Sequence, residues 1–137
     1  MSDVPRAKTW LAQAANDSAH ARYAMEGGFY AQSCYAGQQA VEKALKALLL
    51  YSGHDIGRTH SIVSLRRALT EAGVELPESV MSLAEAQDLT RLNIETRYPL
   101  GDGDEPPFEL FGPEQANRVV AIAGRMVDTV QGVLADV

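Results

Sequence analysis

Between residues 30 and 51 an apolar stripe recurs at steps of four and three, through Cys34, Gln38, Val41, Leu45 and Leu48. That spacing places the five side chains on one face of an α-helix. Gly37, Ala40, Ala44 and Ala47 flank the stripe and let a neighbouring helix approach closely. Gln39, Lys43 and Lys46 fall on the opposite side. A helix with such a seam draws its stability from partners that cover it, so the rest of the chain has to supply packing faces.

The remaining segments read as four more helices and no strand. The first spans about residues 6–25, carries Trp10, Leu11, Ala14, Ala15, Ala21 and Met25, and stops at Gly27-Gly28. The third, about 60–72, is amphipathic through Ile62, Leu65 and Leu69, with Thr59 as N-cap and Gly73 at its end. Pro77 lies just inside or before the start of the fourth, which runs to Arg97 and is stopped by Pro99. The fifth begins near Pro113 and carries Val119, Ile122, Ala123, Met126, Val130 and Val133 at helical spacing. Short connections favour an all-α, antiparallel up-and-down bundle of about five helices, forming a single domain over residues 1–137. The segment Leu100–Gly112, rich in Gly, Pro and acids, is read as a flexible acidic loop. Its Asp102-Gly103-Asp104-Glu105 run does not continue into a calcium-loop pattern through Pro106-Pro107.

Charge narrows the functional classes. A net charge of −6 opposes indiscriminate nucleic-acid binding, which relies on broad phosphate neutralisation. The average hides an asymmetry. Residues 43–67 hold Lys43, Lys46, Arg58, Arg66 and Arg67 against Asp55 alone, whereas residues 71–114 hold eleven acids against Arg91 and Arg97. A local basic site on an acidic body suits a confined anionic ligand, although solvated faces of ordinary helices explain the same pattern. The lone Cys34 has no internal disulfide partner, and no basic start followed by an apolar core marks a signal peptide at residues 1–6. The longest apolar run is too short for a membrane span. A soluble, cytoplasmic protein is the expectation.

Few residues can carry chemistry. His20, His54, His60 and Cys34 show no metal-ligand spacing, so no metal and no cofactor are expected. Cys34 lies in the apolar stripe, where it packs as a small hydrophobe. Arg58-Thr59-His60-Ser61 is the better candidate, because an arginine fork, two hydroxyls and free N–H groups at a helix start can cradle an anion. The plainer reading is that Thr59 caps the helix and His60 packs. Lys43 and Lys46 either face the same ligand or form a solvated lysine face, with Glu42 four residues before Lys46. Gln38 interrupts the stripe, so once buried it has to find partners, between helices or at a wet dimer interface. Arg91, Glu95 and Tyr98 share one face of the fourth helix, as an ion pair beside a packed tyrosine or as part of a phosphate site with Arg97.

The order and spacing of several motifs resemble the HEPN family over nearly the whole chain. They are the Trp10 start, the Gly28-Phe29-Tyr30 turn, the run Gln38-Gln39-Ala40-Val41-Glu42-Lys43-Ala44-Leu45-Lys46-Ala47, then Arg58-Thr59-His60-Ser61 and Thr96-Arg97-Tyr98-Pro99. The resemblance implies a helical bundle that commonly dimerises and is often encoded beside a minimal nucleotidyltransferase, including in toxin–antitoxin pairs. Nuclease members carry an Arg, four to six residues, then a His, often with a Tyr two positions later. Aligned on Tyr98, this chain has Arg91 at the arginine and Thr96 at the histidine position. Threonine is no general acid or base near pH 7.

The expectation is therefore a homodimeric, non-catalytic module without catalytic residues. Lys43, Lys46, Arg58, His60, Arg91, Arg97 and Tyr98 are its candidate contacts to nucleotide or RNA phosphate, and a minimal nucleotidyltransferase is its partner. The alternatives are a ribonuclease toxin with a rearranged site, pairing His60 with Arg91 or Arg97 across a dimer, and a ligand-free dimeric scaffold.

Overall fold

The computed structural model describes residues 2–99 and 105–137. The Leu100–Asp104 part of the expected acidic loop lies outside the described residues. Six helices are present among them: α1 (Val4–Glu26), α2 (Tyr30–Tyr51), α3 (Ile62–Glu71), α4 (Leu83–Glu95), α5 (Pro107–Leu110) and α6 (Pro113–Leu134). The sixth is the short α5, opened by Pro107 in its first turn within a segment read from sequence as loop.

Helix α1 starts two residues earlier than the apolar pattern implies, because Asp3 caps it by accepting the Arg6 N–H at 3.3 Å. At its other end Gly28 takes φ +83°, a conformation that costs glycine little, and the Phe29 N–H closes back onto the Ala24 carbonyl at 2.8 Å. The chain then reverses into α2. The Asp3 N–H meets the Leu50 carbonyl at 2.9 Å, so the start of α1 is pinned to the end of α2 as an antiparallel hairpin.

Sixteen of the 22 residues of α2 are buried, which makes it the central helix. It packs against α1, α3, α4, α5 and α6. Close approach to α6 depends on Gly37, where a Cβ would stand 2.5 Å from Val119 Cγ1. The core around it includes Leu45, Leu49, Ile62, Leu65, Leu69, Met81, Leu89, Met126 and Val130. Val133, assigned from spacing to the buried face of the last helix, is instead 42% exposed near the C-terminal end of α6.

Two helix starts differ from expectation for reasons of hydrogen bonding. Ser61, not Thr59, caps α3: its side chain accepts the Ser64 N–H at 3.1 Å, while Thr59 Oγ1 accepts the Ser61 N–H at 3.0 Å. Helix α4 begins at Leu83 rather than near Pro77, because Ser82 and Glu85 form a reciprocal capping box at 3.1 and 2.8 Å. Pro77 heads a separate turn closed by the Val80 N–H. The helix ends two residues before Arg97, with the Thr96 hydroxyl donating to the Leu92 carbonyl at 2.6 Å.

Candidate functional site

The face of α2 that runs through Gln32, Tyr35, Ala36, Gln39 and Lys43 steps along the helix by threes and fours. It forms one wall of a cleft of about 320 Å³. Asp17 and His20 of α1 form the second wall, and Thr96 and Arg97 at the end of α4 form the third.

Two cations meet here. Lys43 is held by Asp17 at 2.6 Å, and Asp17 also accepts from Gln13 at 2.9 Å. Arg97 is exposed and lies over two aromatic rings, 4.8 Å from the Tyr35 centroid and 5.0 Å from that of Tyr98. Its Nε donates to the Asn93 carbonyl at 2.8 Å, and among the described residues it holds no ion pair. The two rings and one backbone bond thus orient a guanidinium whose terminal N–H fork pairs with no carboxylate among the described residues. Asp17 neutralises Lys43, so among the described residues Arg97 is the cation of the cleft without an ion pair.

The other candidates go elsewhere. Lys46, a ligand contact or a solvated residue by its spacing, is neither solvated nor at the cleft: it is only 5% exposed. Its ammonium pairs with buried Glu42 at 3.1 Å and lies 5.4 Å from the Trp10 ring. His60 Nδ1 lies 3.2 and 3.3 Å from the two Glu42 oxygens, which as carboxylate acceptors require the ring nitrogen to donate. Lys46, Glu42 and His60 therefore form one hydrogen-bonded network around the Lys46–Glu42 ion pair, and the Lys46 charge is already paired. Arg58 is exposed, lies in the loop before α3 and lines no part of the cleft.

Arg91 lines a second cleft, between α4 and α6, where it pairs with Asp88 at 2.5 Å and Glu95 at 3.9 Å. The intrahelical Arg91–Glu95 pair read from the sequence is present, and Asp88, which that reading did not include, holds Arg91 more closely. Arg118 reaches Asp88 from α6 at 3.9 Å. Cys34 forms part of the floor of this cleft, and burial pushes its thiol up to about 11, opposed by the Arg118 charge. Since only the thiolate is nucleophilic, Cys34 should resist iodoacetamide in native protein at pH 8 and react once urea unfolds the chain. Alkylation of the native protein within minutes would contradict the buried placement.

Gln38 is fully buried and joins the two regions. Its Nε2 donates to the His60 carbonyl at 3.4 Å and its Oε1 accepts from Gln39 Nε2 at 2.7 Å. The expected partners for a polar residue in the apolar stripe are there, and they lie within the chain. His60 itself does not line the cleft, so Arg97 and His60 share no single-chain site. Sequence reasoning missed His20, Gln32 and Tyr35. The polar run on α2 was a weak signal for Gln32 and Tyr35, but only packing of α1 against α2 brings His20 to them. Among the described residues no group of three or more His, Cys, Asp or Glu is placed to hold a metal ion. No helix among them is long and apolar enough to cross a membrane.

A helical bundle with these motifs in this order corresponds to one known class. The HEPN domain family model matches residues 7–133, and the chain belongs to that family. Solved structures similar to it include the protein TT1696 from Thermus thermophilus, 34% identical over 93% of this chain and 97% of that one, with a TM-score of 0.83. An archaeal HEPN homologue is 31% identical over 98% and 99% of the two chains, with a TM-score of 0.74. A HEPN domain protein from Thermotoga maritima is 25% identical over 94% and 99%, with a TM-score of 0.71. No curated protein matches the chain.

Proposed function

We propose that this HEPN protein is a non-catalytic module that binds the phosphate of a nucleotide or RNA in the cleft between α1, α2 and the end of α4. The observation that carries the reading is Arg97, held against the rings of Tyr35 and Tyr98 with Lys43 in the same cleft. A pre-oriented guanidinium matches phosphate geometry and loses little freedom on binding. Thr96 supports the absence of cleavage chemistry, because its hydroxyl already donates to the Leu92 carbonyl and does not titrate near neutral pH. Of the seven candidates, Lys43 and Arg97 line this cleft, and Tyr98 adjoins it through its ring beside Arg97. Lys46 and Arg91 serve ion pairs instead, and His60 hydrogen-bonds Glu42.

In this reading the working unit is a cytoplasmic homodimer, and a minimal nucleotidyltransferase is its partner in a toxin–antitoxin setting. Family membership and the resemblance stated above support that part. A one-chain mass at every concentration in sedimentation equilibrium would remove the dimer.

The test of the site is titration of purified protein with nucleotides and short RNAs, with the RNA checked for integrity. Saturable binding with intact RNA is expected. Arg97→Ala should weaken it by about tenfold or more, the scale of a charge-assisted hydrogen bond. Arg58→Ala removes the same charge outside the cleft and should leave affinity within about twofold. Equal affinity in wild type and Arg97→Ala would discard the site. RNA cleavage abolished by His20→Ala would replace binding with acid–base chemistry.

A further inference from the structure

The cleft between α4 and α6 shares no residue with the Arg97 cleft and is built differently. It encloses about 150 Å³ over an apolar floor of Cys34, Leu89, Leu92, Val119 and Ile122. An apolar cavity of that size holds a benzene ring. Its rim carries Glu85, Asp88, Glu95, Arg91 and Arg118, and most of that charge is already engaged. Glu85 accepts from the Ser82 N–H at 2.8 Å and pairs with Arg125 at 3.3 Å. Asp88 and Glu95 hold Arg91 at 2.5 and 3.9 Å. Arg118 is different. Its ion pair among the described residues is a 3.9 Å approach to Asp88, too long for a hydrogen bond, so the guanidinium donors are not consumed. Three residues earlier, Gln115 spends its Oε1 on the Gly112 N–H at 2.6 Å. Its Nε2 is left as a donor without a partner among the described residues, and it too lines the cleft. Residues three apart are neighbours on a helix surface, so the two unspent donor groups stand side by side on α6.

We propose that this cleft binds a small monocarboxylic acid, with its carboxylate on Arg118 and Gln115 and an apolar body of about six carbons on the floor. The sign of the ligand follows from what the rim has left to give. Each acid already faces a cation within 3.9 Å, whereas the unspent groups are N–H donors. A planar guanidinium beside an amide N–H suits the two oxygens of a carboxylate. Three acids around the same rim repel a doubly charged phosphate more than a singly charged carboxylate, so the site does not duplicate the Arg97 cleft. The floor sets the rest. It is apolar, so the body of the ligand gains by leaving water, and its volume excludes anything much larger than one six-membered ring. This assignment stands independently of the phosphate reading.

The experiment titrates the protein with benzoate, benzyl alcohol and benzylamine, three probes of similar size that differ in charge. The methyl signals of Leu89, Leu92, Val119 and Ile122 are followed by NMR, because an aromatic ring seated on the floor shifts them. Saturable benzoate binding is expected, about tenfold or more tighter than benzyl alcohol, with benzylamine weakest. Arg118→Ala removes only an exposed, long ion pair from the fold and should bring benzoate down to the affinity of benzyl alcohol. Gln115→Glu keeps an acceptor for the Gly112 N–H, so the start of α6 is preserved, but it replaces the free donor with a negative oxygen. Benzoate affinity should fall about tenfold or more in that variant as well. Arg58→Ala removes the same charge outside the cleft and should leave it unchanged. No saturable binding up to about 50 mM, or binding that leaves those methyl signals in place, overturns the site. Benzylamine binding as tightly as benzoate, or unchanged benzoate affinity in Arg118→Ala and Gln115→Glu, overturns the carboxylate.

Discussion

Glu42→Ala should destabilise the protein by about 3–5 kcal/mol, the cost of breaking a buried ion pair from one side. Glu42 is 2% exposed, and its carboxylate accepts from both Lys46 and His60. Its removal leaves an ammonium on a residue 5% exposed, with only the Trp10 ring at 5.4 Å for company. A cation–π contact returns about 0.5–2 kcal/mol, less than the desolvation it has to offset. His60 is mostly exposed, so its released N–H finds water at little cost. Urea denaturation measures the loss, with a midpoint of thermal unfolding lower by roughly 10–15 °C. The double variant Glu42→Leu with Lys46→Met removes both charges together and should recover most of the stability. Should Glu42→Ala fall within about 1 kcal/mol of wild type, Lys46 has reached solvent and the network is not what orders this region.

Gly37→Val should cost about 3 kcal/mol, the upper end for overpacking a core. Two effects compete at this position. Replacing a mid-helix glycine gains several tenths of a kcal/mol in helix propensity, and that gain alone would stabilise. The contact opposes it. Even a bare Cβ would stand 2.5 Å from Val119 Cγ1, and the Val119 backbone follows at 3.6 Å. Neither branched valine nor a packed helix backbone can yield that distance without moving α6 off α2. Gly37→Ala should therefore also destabilise, by less. Val119→Ala in the same chain should cost less on top of Gly37→Val than it does alone, a coupling that a double-mutant cycle reads directly. Additive effects would mean that α6 shifts freely and that the close approach is not required.

These two sites show where sequence reading succeeds. Helix α2 has the bounds expected from its pattern, and Gly37 with its alanine neighbours marks a close helix contact because small residues have a steric meaning before any partner is known. Membership in the HEPN family was legible for a related reason: motif order along the chain survives whatever the tertiary details are. Lys46 shows the limit. A lysine opposite an apolar stripe reads as solvated when the helix has one buried face, yet α2 is covered on nearly all sides. The start of α3 was displaced because Thr59 and Ser61 are both good N-cap residues in sequence, and that of α4 because the Ser82-x-x-Glu85 capping box outweighs Pro77 as a start signal.

The cleft divides the same way. Arg97, Lys43 and Tyr98 were candidates from their chemistry alone, and so were Lys46, His60 and Arg91. What separated them was packing across elements: Tyr35 beneath Arg97, Asp17 against Lys43, Glu42 between Lys46 and His60, and Asp88 beside Arg91. Periodicity and motif order are local properties, carried by residues a few positions apart, and they determined the helices, the small-residue contact face and the family. Which charge is neutralised and which stays available depends on pairs such as Lys43 with Asp17, 26 residues apart, and His60 with Glu42, 18 apart. Coulomb energy acts through space rather than along the chain, so which of the candidate cations are paired was decided only by the tertiary structure.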